Sequence, residues 1–154
     1  SLMDLESAGD SFYADHAHCD GWVLNEVLAR VRNPLHVLSR IRSCIPVGGC
    51  VIVCLPNAQH WSVLAKLCVG DFRYEDAGLM ANSNLRFFTR ATMLEMFVRT
   101  GFKMEQGFPR ILSELKNESV AAAIKSMASA VGADPALALQ DSLPTQFVVK
   151  LVCA

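Results

Sequence analysis

An amide, an imidazole and an indole stand close together at Asn57, His60 and Trp61, where the apolar run CVIVCL gives way to PNAQHW. Such a set can orient a small molecule, move a proton and stack on a flat group. A second polar pair, Asn25-Glu26, ends the earlier apolar stretch GWVL. If both stretches are parallel strands joined by a right-handed crossover, both pairs lie on one edge of a sheet, where open α/β sheets bind ligands. The plainer alternative is equally concrete: Asn57 caps a helix, His60 lies on its exposed first turn and Trp61 joins the core. In LRFFTR, Arg86 and Arg90 flank two phenylalanines just before a helix start, and with the backbone N–H groups there they can hold an anionic part of a substrate. Against that, Phe87 or Phe88 can staple the helix and leave the arginines to solvent. The run HAHC offers His16, His18 and Cys19, but no second cluster supplies the further ligands a metal needs, so no metal is expected.

The elements that must position these residues follow from periodicity. The spacing predicts a strand over about Gly21 to Leu24 with a turn near Asn25. A helix follows, with Asn33 as N-cap, Pro34 as first residue and Leu35, Val37, Leu38, Ile41 and Ile45 as its apolar stripe. CVIVCL is continuously apolar, as a strand buried on both faces is. HWSVLAKLCVG reads as a second helix, ended by Gly70. Residues 71–88 show no period. Thr89 caps a third helix, with Met93, Leu94, Phe97 and Val98 inward and Gly101 closing it. FKMEQGF alternates as a strand. From Ile111 to Val131 apolar residues step at helical spacing, DPALALQDSLP is a short helical or turn segment, and QFVVKLVCA is a closing strand. Residues 1–19 read as polar and turn-rich. The alternation predicts one α/β domain.

The 154 residues suffice for one core, and just over half are apolar. A formal net charge of −1 gives neither a nucleic-acid footprint nor a polybasic membrane patch. The apolar runs are strand-sized, too short to cross a bilayer. SLMDLESAGD lacks the pattern of a secretory signal. Six cysteines without a C-x-x-C pair read as buried thiols, which points to a reducing, cytoplasmic setting.

The string NEVLARVRNPLHVLSRIRSCIPVGGCVIVCLPNAQHW resembles the central part of class I S-adenosylmethionine-dependent methyltransferases, where EVLEH…NP…L…PGG…PN recurs. GDFRYEDAGL and LRFFTRATMLEMFVRTGF resemble the methyltransferase modules found beside glycosyltransferases in bacterial surface-polysaccharide pathways. The similarity runs from about Asp4 to about Phe108. It implies a partial Rossmann-like sheet, the last four strands of that fold, mostly parallel with an antiparallel C-terminal strand and flanked by helices. It implies that Asn25 and Glu26 lie beside the methionine part of S-adenosyl-L-methionine. It also implies that Asp4, in MDLES, approaches the adenine, and that Asn57, His60 and Trp61 border the acceptor site. His60 is the candidate base, and Arg86 is carried as a substrate-side residue. The implied activity is O-methylation of a sugar or other hydroxylated small molecule.

Two departures qualify this. Ala29-Arg30 replace the usual Glu-His. No G-x-G-x-x-G occurs, and no acidic residue stands ready for the ribose. Residues 1–154 therefore read as a single truncated domain lacking the glycine-rich half, expected to bind the cofactor weakly or not at all. The bare edge of the first strand is expected to pair two copies into a homodimer. A catalytically inactive interaction domain derived from the same fold is the alternative.

Overall fold

The computed structural model describes residues 5–154, so Asp4 lies outside the described residues. The elements in chain order are α1 (Asp10–Asp15), β1 (Gly21–Asn25), α2 (Val27–Arg30), α3 (Pro34–Cys44), β2 (Cys50–Pro56), α4 (Trp61–Cys68), α5 (Arg90–Arg99), β3 (Phe102–Arg110), α6 (Glu118–Ala130), α7 (Pro135–Ser142) and β4 (Gln146–Cys153). The four strands form one sheet in the order β1-β2-β4-β3. β1 and β2 are parallel, and β4 runs antiparallel to both β2 and β3. Three strands thus point one way and the last strand is inserted against them. This is the mostly parallel, four-strand α/β sheet that the sequence leads one to expect.

Local signals explain most boundaries. The Asn33 side chain accepts from the His36 N–H at 3.0 Å, and Pro34 fills the first helical position. Thr89 and Thr92 form a reciprocal capping box on α5. Between α3 and β2, Gly48 takes φ +84°, and a Cβ on Gly49 would sit 2.7 Å from the Ile45 side chain, so the turn demands both glycines.

The core lies on one face of the sheet. Leu24, Val51, Val53, Leu55, Phe147, Val149 and Leu151 meet Val37, Leu38 and Ile41 of α3 and Met93, Met96 and Phe97 of α5. The other face is barer: Val23 is 73% exposed, and Ile52, Val148 and Val152 are half-buried. β2 is therefore buried on both faces only over Val53 to Pro56, while Cys50 and Ile52 at its start are half-buried.

Three expectations need correction. The polar N-terminal stretch contains α1, whose Tyr13 is buried in the core and whose Phe12 and Tyr13 rings lie 6.3 and 6.0 Å from Trp22. On α5, Met96 faces inward while Val98 is 73% exposed. The sixth helix starts only at Glu118, with the Asn117 side chain accepting from the Ser119 and Val120 N–H groups, and Ile111 and Leu112 before it are exposed. An N-cap asparagine beat apolar spacing there, because residues 111–117 have no partner surface to bury that spacing against.

α1 is held by Tyr13, whose hydroxyl donates to the Leu5 carbonyl at 2.8 Å and whose ring lies 4.6 Å beneath the Arg40 guanidinium. Tyr13→Ala should destabilise the chain by about 3 kcal/mol. Tyr13→Phe, which keeps the ring, should cost about 1 kcal/mol. Urea denaturation of both variants measures the difference; equal losses would show that the ring packs nothing that matters.

Candidate functional site

The parallel pairing of β1 and β2 puts Asn25-Glu26 and Pro56-Asn57 on the same edge of the sheet, so the two polar tips do share one edge. Glu26 takes a left-handed backbone (φ 59°) and donates its N–H to the Cys54 carbonyl at 2.9 Å. That sharp turn swings its carboxylate over the neighbouring strand ends. One oxygen accepts from Arg30 Nη2 at 2.6 Å and the other from Gln146 Nε2 at 2.6 Å. Gln146 Oε1 in turn accepts from Arg110 Nη1 at 3.2 Å. A polar row Arg30–Glu26–Gln146–Arg110 therefore spans the edge, from the exit of β1 across the start of β4 to the end of β3. Asn25 is exposed beside it. The same carboxylate, together with burial, pushes the Cys54 thiol up, with burial the larger cause. Gln146 and Arg110 carry no sequence signal for this role, because they reach Glu26 only through strand pairing.

Asn57 does different work. It is fully buried, and its side-chain N–H groups donate to the Asp141 and Pro144 carbonyls, both at 2.8 Å. Its Oδ1 accepts from the Gln59 N–H at 2.9 Å, and its own N–H donates to the Thr145 carbonyl at 3.0 Å. One step on, the Ala58 N–H donates to the Phe88 carbonyl at 2.8 Å. Asn57 thus ties the end of β2 to the end of α7 and the entry to β4. Both amide hydrogens are used, which places it beneath the edge as a strut.

His60 is the N-cap of α4 and is 2% exposed, so it is a buried cap and not a residue on an exposed first turn. Its Nδ1 accepts from the Ser62 N–H at 3.3 Å and lies 2.8 Å from Ser62 Oγ. Both bonds form together when Nδ1 bears the lone pair, which leaves the ring proton on Nε2, a buried donor without a protein partner among the described residues. Burial lowers the His60 pKa. The ring is a neutral hydrogen-bond donor in this arrangement, not a base open to an acceptor. Trp61, half-buried, lies 5.3 Å from it, ring centre to ring centre. Arg86 is a strap: its Nε donates to the Arg32 carbonyl at 2.9 Å, and the Leu85 and Arg86 N–H groups both donate to the Ala29 carbonyl. Phe88, buried at the bridge to Asn57, is the staple of the LRFFTR segment.

The structure therefore sorts the sequence candidates into three places. Glu26 belongs to the polar row, with Asn25 exposed beside it. His60 and Trp61 stand at the root of α4 above the Asn57 strut, and Arg86 fastens the irregular stretch 71–88 to the turn before α3. Among the described residues no group of three His, Cys, Asp or Glu side chains is placed to hold a metal ion, and no helix is long and apolar enough to cross a membrane.

No family model and no curated protein matches the sequence. Solved structures do match the fold. An S-adenosylmethionine-dependent methyltransferase from Mesorhizobium loti aligns with TM-score 0.50 at 13% identity, over 86% of this chain and 60% of that one. A SAM-dependent methyltransferase from Archaeoglobus fulgidus aligns with TM-score 0.52 at 11% identity, over 94% of this chain and 65% of that one. The chain thus spans less than two thirds of either structure. Its sheet and flanking helices match methyltransferase-like Rossmann folds.

Two outcomes follow from the site. Asn57→Ala, which orphans two buried carbonyls, should cost about 2–4 kcal/mol in urea denaturation. Asn57→Asp, which sets a carboxylate against those carbonyls, should cost more; an Asp variant as stable as the native chain would refute the strut. For His60, the folded pKa is depressed below the unfolded one, so the unfolded chain binds the proton first. Its contribution is complete above the unfolded value of about 6.5 and is lost as the pH falls through the folded value. Urea midpoints at pH 7.5 and 5.5 should therefore differ more for the native chain than for His60→Gln. Equal differences would remove His60 from the acid response.

Proposed function

We propose that this chain supplies the acceptor-side part of an S-adenosylmethionine-dependent methyltransferase domain. The parent enzyme transfers the methyl group to a hydroxyl of a small molecule, with a sugar as one such acceptor. The observation that carries this reading is the sheet itself: three strands in one direction and a C-terminal strand inserted antiparallel between the second and the third. The two methyltransferase structures of the same fold support it. When bound, the cofactor supplies an electrophilic methyl carbon, and the protein's task is alignment.

The residues present fit half of that cofactor. Glu26 offers a carboxylate fixed from both sides by Arg30 and Gln146 and still 27% exposed. Such a group suits the ammonium of the methionine part through a charge-assisted hydrogen bond, and Asn25 stands beside it. Nothing among the described residues forms a glycine-rich cradle or an acidic ribose ligand. Those contacts belong to the other part of the proposed domain, which would lie along β1, the first strand of the sheet order. The same open edge supports a second reading, in which two copies pair through β1 as an interaction module.

Calorimetric titration of S-adenosylmethionine separates these readings. The chain alone should show no micromolar binding; a micromolar Kd would overturn the division of the site. In a longer protein carrying the glycine-rich half, binding should be micromolar, and Glu26→Ala should weaken it roughly tenfold to a hundredfold. Unchanged affinity in that variant would sink the Glu26 assignment. Light scattering on the same sample tests the edge: a monomer at tens of micromolar refutes pairing through β1.

A further inference from the structure

Outside the polar row, a groove of about 570 Å³ lies between α4 and the α6–α7 pair. Its walls are two apolar helix faces. On α4, Trp61, Leu64 and Ala65 repeat at helical spacing; on α6, Ala123, Ile124 and Met127 do the same. Facing stripes of this kind ordinarily close on each other, with helix axes 8–10 Å apart and no gap between. Here a cavity remains. Its small side chains, Ala65 and Ala123 among them, widen it. The far rim is left in water, with Met127 at 55% and Val131 at 76% exposure. The helices are fixed from outside the groove: α4 is rooted through His60 and the Asn57 strut, and α6 is capped by Asn117 and packed on α7. Exposed apolar surface of this kind costs about 25 cal/mol per Å², and a ligand of matching chemistry recovers it. The volume lies within the usual range for small-molecule sites, roughly 300–1,000 Å³.

Polar side-chain atoms on the lining residues are few: those of Gln59 and Ser119, the Cys68 thiol and the Trp61 indole N–H, which is buried without a partner among the described residues. A hexose seated here would bury hydroxyls with few partners, so the groove suits an apolar group and leaves a hydroxylated head outside it. Gln59 stands at one end, two residues past Asn57 at the exit of β2, so that end opens at the ligand edge of the sheet. We infer that the groove holds the hydrocarbon tail of the methyl acceptor, whose hydroxylated head sits at the exit of β2 near Gln59. The inference rests on the methyltransferase reading for the word acceptor, but the tail site stands on its own geometry.

The test uses cis-parinaric acid, a fluorescent unbranched fatty acid, titrated into the chain with no cofactor present. Energy transfer from tryptophan should saturate at one equivalent, with a micromolar Kd, and should fall in Trp61→Phe, which leaves Trp22 as the donor. Ala123→Phe, a substitution at an exposed position on the groove wall, should weaken binding at least tenfold while circular dichroism and the melting temperature stay unchanged. Absence of saturable binding, or equal binding by Ala123→Phe, overturns the tail site. A dimer that Ala123→Phe converts to monomer in light scattering also overturns it, by showing that a second copy fills the groove. Because the cofactor takes no part, failure of S-adenosylmethionine binding in a longer protein leaves a positive parinaric result standing and sinks the methyltransferase reading alone.

Discussion

The antiparallel insertion of β4 between β2 and β3 is the constraint on which the rest hangs. β4 pairs along its whole length with β2 on one side and β3 on the other, so without it the sheet has no middle. Its register sets Gln146 opposite both Pro56 and Arg110, which brings three strand ends to one edge. The polar row through Glu26 and the Asn57 strut both depend on that register. A slip of one residue would turn Phe147, Val149 and Leu151 out of the core and part Gln146 from Glu26.

The two faces of the sheet have unequal cover, and this bears on function. One face is sealed by α1, α3 and α5 around Leu24, Val51, Val53 and Leu55. A rigid, dry face of this kind holds the strand tips in fixed positions. The other face carries the exposed Val23 and the half-buried Ile52, with Cys54 and Pro56 buried toward the strand end. The helices α4, α6 and α7 do not join the main core: Val63, Ile124 and Ala128 are buried outside it. α6 packs chiefly on α7, with α4 beside it, and the groove lies between them.

Burial decides what each polar side chain does. Asn57 and His60 are both of types that bind or transform ligands, and both are buried. Asn57 saturates its amide hydrogens on backbone carbonyls, so it fastens. His60 spends Nδ1 on the helix cap and keeps its proton on Nε2, so it fixes the start of α4. Asp141 follows the same rule: burial pushes its pKa up, while Arg90 at 3.8 Å draws it down. Glu26 is fixed from two sides by Arg30 and Gln146 and still partly open.

The sequence by itself determined the elements with strong local signals: the Asn33-Pro34 start of α3, the Thr89 cap of α5, the apolar runs of β2 and β4 and the glycine turn at Gly48-Gly49. These depend on interactions within a few residues, so spacing reveals them. It also determined the class of fold and the shared edge of the two polar tips, because strand, helix, strand with short turns admits one handedness. Tertiary structure alone decided the rest. α1 was illegible because DSFYAD is too short to be helical without Trp22 and α3 to pack on. The late start of α6 was illegible because periodicity does not show whether a surface exists to receive the apolar side. The link from Glu26 to Gln146 spans 120 positions, and the groove belongs to two helices far apart in the chain. Pairings at such separation are fixed by the register of β4 and by packing, and nothing in the neighbouring residues encodes them.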